Sequence, residues 1–379
     1  VSTPDPQLYA ILAEAGFGDD LFNPRQHACC ELVERYVLQQ CIAVADVLGL
    51  PARLATATTA HDLAAATGIV TERPLRWLLA RLAADGLVVH DGDGWSLPAP
   101  LPAPALETTR AEGLALDPSY APAYALVDEA AALWPRVLRG EVVAERALFM
   151  RARLWLDYFS NAHTYYAINN RVAAQAAVAR VPAAGAHVLE VGAGLGSATE
   201  ALLAALAPDV RLAAYDVTEP VAFFRRRTER MLPAAHPDVP FTFDDLDLNQ
   251  PWAAQGVAAG SRHLVWGVNV FHLAHDLDAV LREAHAALAP GGWLVIGEGI
   301  RPGPGVPVGA EFPFQLLESF TTVTLDPVTR PEPGFLTAEP WLAAVARAGF
   351  VDTTLVPDVI RLRALYPGFF AGAICGRRG

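Results

Sequence analysis

Residues 187–199 read H-V-L-E-V-G-A-G-L-G-S-A-T, and no other stretch restricts the fold so tightly. Val188, Leu189 and Val191 form an apolar run, Gly192, Gly194 and Gly196 follow at alternate positions, and an alanine- and leucine-rich helical pattern begins at once. This pattern predicts a strand, a tight turn and a helix start. Glycines there let the backbone approach a ligand closely, and the helix N-terminus offers it unpaired N–H groups. Nicotinamide and flavin enzymes share such a turn, and some loops carry it by chance.

Two details narrow the choice. Glu190 precedes the first glycine by two residues, and a second apolar strand, 212–215, ends in Asp216, 20 residues after Gly196. An acid at that strand end is where a ribose hydroxyl pair is held. Beyond it the chain alternates strand and helix. A third strand (239–243) leads to Asp244 through Asn249, a fourth (263–270) ends at Phe271-His272, and a helix (278–288) follows. A fifth strand (293–296) ends at Glu298, a helix spans 337–348, and two β-rich tails cover 353–363 and 369–375. The expected fold class is α/β, a Rossmann-like parallel sheet with an antiparallel C-terminal edge.

Composition sets limits on function. At 379 residues, 53% hydrophobic and 18% charged, the chain has the length for two or three domains with a sizeable core. A net charge of −13 argues against nucleic acid as a partner, because duplex binding depends on phosphate neutralisation. All 28 basic residues are arginine, which excludes lysine Schiff-base and pyridoxal chemistry and a Walker-type phosphate loop. Cys29, Cys30, Cys41 and Cys375 fit neither a C-x-x-C pair nor a zinc spacing, so buried reduced thiols and no metal are expected. With no apolar run of membrane-spanning length and no basic leader, the reading is a cytoplasmic protein without a membrane partner.

Upstream, helices are expected over 27–48, over 61–67 between a Thr59 cap and Gly68, and from Thr71 with Leu75, Leu78, Leu79 and Leu82 on one side. Asp91 to Gly94 then turns 87–89 back on 95–97, completing a winged helix. Arg73, Arg76 and Arg81 on its second helix raise DNA binding as an alternative, a transcriptional regulator. However, they are interleaved with Leu75, Trp77, Leu78 and Leu79, which favour burial. The proline-rich stretch 98–105 marks a boundary. The expected domains are 1–105 (winged helix), 106–180 (helical connector and lid) and 181–379 (cofactor-binding sheet).

Together, E-x-G-x-G-x-G, Y-D-V-T (Tyr215 to Thr218), N-V-F-H (Asn269 to His272) and L-A-P-G-G-W-L-V-I-G-E (Leu288 to Glu298) resemble the class I S-adenosylmethionine (SAM) methyltransferases. The finer features look most like the C-methyltransferase domains of polyketide synthases, with the winged-helix small-molecule O-methyltransferases next. The resemblance implies SAM as cofactor and S-adenosylhomocysteine as product. It places Glu190, Gly192, Gly194 and Gly196 at the methionine end and Asp216 with Val217 at the ribose. Asp247 and Leu248 border the adenine, and Asn269 and Tyr166 complete the cofactor set. Tyr158, Tyr165 and Arg171 lie close to the glycine turn in sequence and are further candidates to cover it. The resemblance also implies a homodimer formed through the N-terminal domain and a free small-molecule or acyl-carrier-bound substrate.

For the chemistry, the resemblance makes His272 the base and Glu298 the residue that orients it. The residues support this independently. Methyl transfer from a sulfonium is an in-line displacement, so the protein must align the acceptor and remove its proton. An imidazole suits that task near neutral pH, and a carboxylate beside it fixes the tautomer. Both residues fall at the carboxyl ends of strands, where open α/β sheets bind ligands. His275 is the rival base, while Trp266, Phe312, Phe314 and Phe320 are candidates for an apolar acceptor pocket. Methylation of an enolisable carbon is favoured. O-methylation and a non-methylating SAM-dependent cyclisation or elimination are the alternatives.

Overall fold

The computed structural model describes residues 5–18 and 22–379. They divide into two compact units. One comprises Pro24–Tyr158 and Gly303–Thr321; the other comprises Phe159–Pro302, Thr322–Gly379 and the described residues before Pro24.

In the first unit, helix Pro24–Val47 buries Leu32, Val33, Tyr36, Val37, Cys41 and Val44. Helices Glu72–Ala84, Leu106–Leu116 and Ala121–Leu138 pack on it. The expected winged-helix elements form here. The Thr59 hydroxyl caps helix Ala60–Thr67 by accepting the Asp62 N–H at 3.0 Å, and Gly68 ends that helix in the left-handed region. Gly94–Ser96 pairs antiparallel with Val89–Asp91 on one side and Thr58–Thr59 on the other. Leu75, Trp77, Leu78, Leu79 and Leu82 of helix Glu72–Ala84 are buried. Its arginines face carboxylates. Arg76 pairs with Glu72, buried Arg81 pairs with Asp85 and Glu34, and desolvation lowers the pKa of Arg73 against the pull of Glu318 and Glu145. Segment Gly303–Thr321 is held here by the Trp77 indole N–H, which donates to Glu311 at 3.0 Å, and by Phe312 stacked on Trp134 at 5.1 Å. Phe314 stacks on Phe320 at 5.8 Å and meets Tyr158 edge-on.

The second unit is built on seven strands: β1 (Ala184–Glu190), β2 (Arg211–Thr218), β3 (Phe241–Asp244), β4 (Arg262–Val268), β5 (Leu288–Gly299), β6 (Phe350–Val356) and β7 (Ala371–Arg378). Their order is β3-β2-β1-β4-β5-β7-β6, with β7 antiparallel to both neighbours and the first five strands parallel. The sheet therefore has the expected parallel body and antiparallel edge. Glu190, Thr218, Val268 and Gly299 end their strands along one side. The chain leaves β1 for β2 and returns to β4 on its other flank, which creates a switch point beside the glycine turn. Helix Thr164–Val178, rich in alanine, lies close on β5. A Cβ on Gly297 would come within 2.5 Å of the Ala173 methyl carbon.

Three elements differ from expectation. β2 runs to Thr218 rather than stopping at Tyr215, because pairing with β1 and β3 carries it to the break at Pro220. β5 absorbs the A-P-G-G turn as an irregularity: Arg262 of β4 faces Leu288, and pairing resumes at Leu264 with Trp293. The first tail is half helix. After β6, the Asp358 carboxylate accepts the Arg361 N–H at 3.0 Å and starts helix Val359–Leu365, which buries Val359 and Leu362. The four cysteines are free thiols, all buried except half-buried Cys30. Among the described residues, no group of three or more His, Cys, Asp or Glu is disposed to hold a metal ion, and no helix is long and apolar enough to cross a membrane.

Candidate active site

Gly192, Gly194 and Gly196 have φ of 65°, 55° and 81°, a region that side chains disfavour. Gly192 and Gly196 are also sterically confined. A Cβ would lie 2.4 Å from Val270 at the first and 3.1 Å from Thr228 at the second. At Gly194 a Cβ would meet no atom within 4 Å, so the middle of the turn opens onto space beyond the strand ends. Helix Ser197–Ala205 begins immediately after it.

Below the turn lies Glu190, which is 1% exposed. One of its oxygens accepts hydrogen bonds from the Thr199 hydroxyl (2.7 Å) and the Tyr215 hydroxyl (2.6 Å), and the Trp266 indole N–H donates in turn to Tyr215 at 3.0 Å. The other oxygen is buried with no partner among the described residues. Burial pushes the Glu190 carboxyl up to about 7, against the lowering effect of the two hydroxyls. Trp266 is therefore committed to the sheet core, whereas Phe312, Phe314 and Phe320 belong to the first unit.

Asp216 sits within β2, two residues short of its end, where it pairs with Arg262 at 2.5 Å and accepts from the Thr242 hydroxyl at 2.6 Å. Val217 is buried in the same strand. The acid beyond the strand end is Glu219. One of its oxygens accepts the Gly194 N–H at 2.9 Å and the other the Val221 N–H at 2.8 Å. Burial raises its pKa, and those two N–H groups act in the opposite direction. Sequence reading ended the strand too early and so passed over Glu219 as the acid beyond its end. The signal available was Pro220, which cannot continue a central strand. After β3, the Asp247 N–H donates to Gln255 at 2.8 Å, and the Leu248 carbonyl accepts from the Trp252 indole at 3.2 Å. Asn269 takes φ 55° at the end of β4 with its amide oxygen buried and unpartnered among the described residues. Tyr166, half-buried, packs edge-on against Phe159 at 5.2 Å, and Tyr165 packs against Phe370. Arg171 is exposed.

At the next pair of strand ends, Glu298 grips the His272 residue at two points. One oxygen accepts the His272 backbone N–H at 3.1 Å, and the other lies 2.7 Å from the ring Nδ1. Glu298 is 0% exposed and His272 4%. The backbone explains this placement. β4 turns through a short helical segment, Phe271–Leu273, and the Asn269 N–H is tied to the Gly297 carbonyl at 2.8 Å, which brings the histidine alongside β5. Phe335 meets the imidazole edge-on at 4.9 Å. His275 is separated from this pair. It is exposed, and its backbone N–H is held by the Asn249 side chain at 2.7 Å. His285, later in helix Leu277–Ala287, packs on Phe350.

A family model described as a methyltransferase domain matches residues 189–294. Over 291 residues the chain is 30% identical to the polyketide synthase ThaQ of Burkholderia thailandensis, a match that covers 72% of this chain and 13% of that relative. The fold is similar to that of the CurJ carbon methyltransferase, with a TM-score of 0.80 at 21% identity, covering 99% of this chain and 96% of that one. It is also similar to the trans-methyltransferase CalH, solved with S-adenosylhomocysteine, at a TM-score of 0.61 and 20% identity, covering 92% and 90%.

Proposed function

We propose that this chain, an S-adenosylmethionine-dependent methyltransferase with the class I fold, methylates an enolisable carbon of a polyketide-type acyl substrate, with His272 as the base. The residues at the strand ends suit the cofactor. The turn opens at Gly194, Glu219 stands beyond β2, and the Asn269 amide oxygen is buried and unpartnered among the described residues. In this reading the glycine turn and Asn269 hold the methionine end, Glu219 rather than Asp216 holds the ribose, and Asp247 and Leu248 border the adenine. Glu190 supports the turn from below, and Tyr166 stays with the cofactor set. When bound, the cofactor supplies an electrophilic methyl group.

The observation that carries the reading is the double contact of Glu298 with His272. A carboxylate on Nδ1 assigns the ring proton to that nitrogen and leaves Nε2 as the proton acceptor. On taking a proton from a carbon flanked by carbonyls, the ring becomes an imidazolium that Glu298 stabilises without moving. A carbon acid needs this assistance more than a phenol does, so the buried, paired carboxylate favours carbon over oxygen. The basic residues of the winged-helix element are paired with or face carboxylates, which argues against a DNA-binding role. Presentation of the acyl group by a carrier protein and pairing of two copies belong to the same reading.

A β-ketoacyl thioester, free and carrier-bound, incubated with SAM and the protein should yield S-adenosylhomocysteine and a product methylated at the carbon between the carbonyls. Carbon-13 NMR of the product made with methyl-labelled SAM locates the methyl group. A product labelled only at an O-methyl carbon would overturn carbon methylation.

A further inference from the structure

The turn carrying His272 is held from outside the glycine-turn region by the loop that precedes helix Ala338–Arg347. Within it, the Thr324 N–H donates to the His275 carbonyl at 2.7 Å. Arg330, 4% exposed, donates from one guanidinium nitrogen to the Ala274 carbonyl at 2.6 Å and from the other to the carbonyl of His272 itself. The loop is anchored where Arg301 pairs with Glu332 and donates to the Pro333 carbonyl at 2.9 Å, and where the Arg301 N–H donates to the Leu336 carbonyl at 2.9 Å. Asp326 and Arg330 bridge their backbones at 2.9 Å in both directions. Phe335 of the same loop touches the imidazole.

Burying a guanidinium is costly, and neutral carbonyls repay less of that cost than a bidentate carboxylate would. Desolvation pulls the Arg330 pKa down to about 10, while Glu298 and Asp276 act to hold it up. The cation therefore sits in the field of the same carboxylate that pairs with His272. The charged groups that face this turn include Glu298 from β5, Asp276 from the cap of helix Leu277–Ala287 and Arg330 from the loop; His275 is exposed.

We infer that Arg330 is a positioning residue for the base. By gripping the carbonyls of His272 and Ala274 it fixes the direction of the imidazole. This rests on the reading of His272 as the base.

The test uses the full chain, with kcat and SAM affinity measured separately and the His272 ring signals, assigned by difference from H272Q, compared by nitrogen NMR at one pH without cofactor. R330M should lower kcat at least about five-fold at unchanged SAM affinity and shift those ring signals. R330K keeps the charge but loses the planar fork, so its kcat should also fall at least about five-fold at unchanged SAM affinity. A wild-type kcat in folded R330K, or wild-type ring signals in folded R330M, would overturn the positioning role. Should R330M fail to fold, R330K still decides. Full turnover in H272A would sink the base assignment instead, without restoring the ring signals in the R330 variants.

Discussion

Glu190 and Glu298 are the same residue in nearly the same setting, each buried at the carboxyl side of a parallel strand in one sheet, yet their surroundings differ in charge. Glu190 is held by two neutral hydroxyls and keeps one oxygen unpartnered among the described residues, and burial raises its carboxyl to about 7. Glu298 has both oxygens engaged by His272 and lies in the field of Arg330. Burial alone favours a neutral acid; a cation within reach favours the carboxylate. In the proposed function the contrast separates a carboxyl that props up a turn from one that serves proton transfer.

Removing the partner of Glu298 is the harshest way to break the contrast. H272A should lower kcat by about a thousand-fold with SAM affinity within about two-fold of wild type, as expected for loss of a general base. Stopped turnovers and calorimetry measure the two separately. E298Q keeps the shape but gives up the charge, and should cost about a hundred-fold in kcat. In the double variant the losses should fall well short of multiplying, because the two residues act as one unit. Multiplicative losses would mean that Glu298 acts independently of His272, and the contrast with Glu190 would lose its mechanistic content.

Glu219 is the third buried carboxylate of the sheet edge, and it is gripped by backbone N–H groups rather than by hydroxyls or an imidazole. E219Q should weaken SAM binding by about ten-fold, whereas D216N should leave it within about two-fold and cost stability instead, since Asp216 pairs with Arg262. Calorimetric titration with S-adenosylhomocysteine separates the pair. Equal losses would return Asp216 to the ribose and leave Glu219 as a brace for the turn.

The different places of Asp216 and Glu219 along the chain show where sequence reading works and where it stops. The glycine turn was legible because only a left-handed backbone explains glycine at alternate positions after an apolar run, and the φ values at Gly192, Gly194 and Gly196 agree. His272 and Glu298 were legible as strand-end residues, since strand ends follow from the βα alternation. Their contact was expected through the family resemblance, since residue spacing alone does not record the register between β4 and β5. Asp216 was set at the end of its strand, two residues early, for the same reason in reverse. Strand length is decided by pairing with β1 and β3, which hydropathy at Tyr215 does not record. Arg330 lay beyond reach altogether. It comes from an irregular loop 58 positions after His272, and no periodicity links a loop arginine to a carbonyl.

The mildest test sharpens the contrast from the Glu190 side. Its carboxyl is ordinarily ionised above about 4.5 in the unfolded chain but only above about 7 in the folded one. Between those values the unfolded state releases a proton that the folded state keeps, so this group's share of stability declines as pH rises through the window and is flat on either side. The decline is on the order of 3 kcal/mol from the pKa difference alone. E190Q cannot ionise, so it should lose that slope. Its amide oxygen can still accept from Thr199 and Tyr215, while its N–H2 takes the place of the oxygen that has no partner among the described residues, at a cost of about 1 kcal/mol. The variant should therefore be slightly less stable than wild type at pH 5 and more stable at pH 8, with the two denaturation curves crossing between. Parallel curves would mean that Glu190 is charged in the folded protein across the whole range, and burial would not set its state.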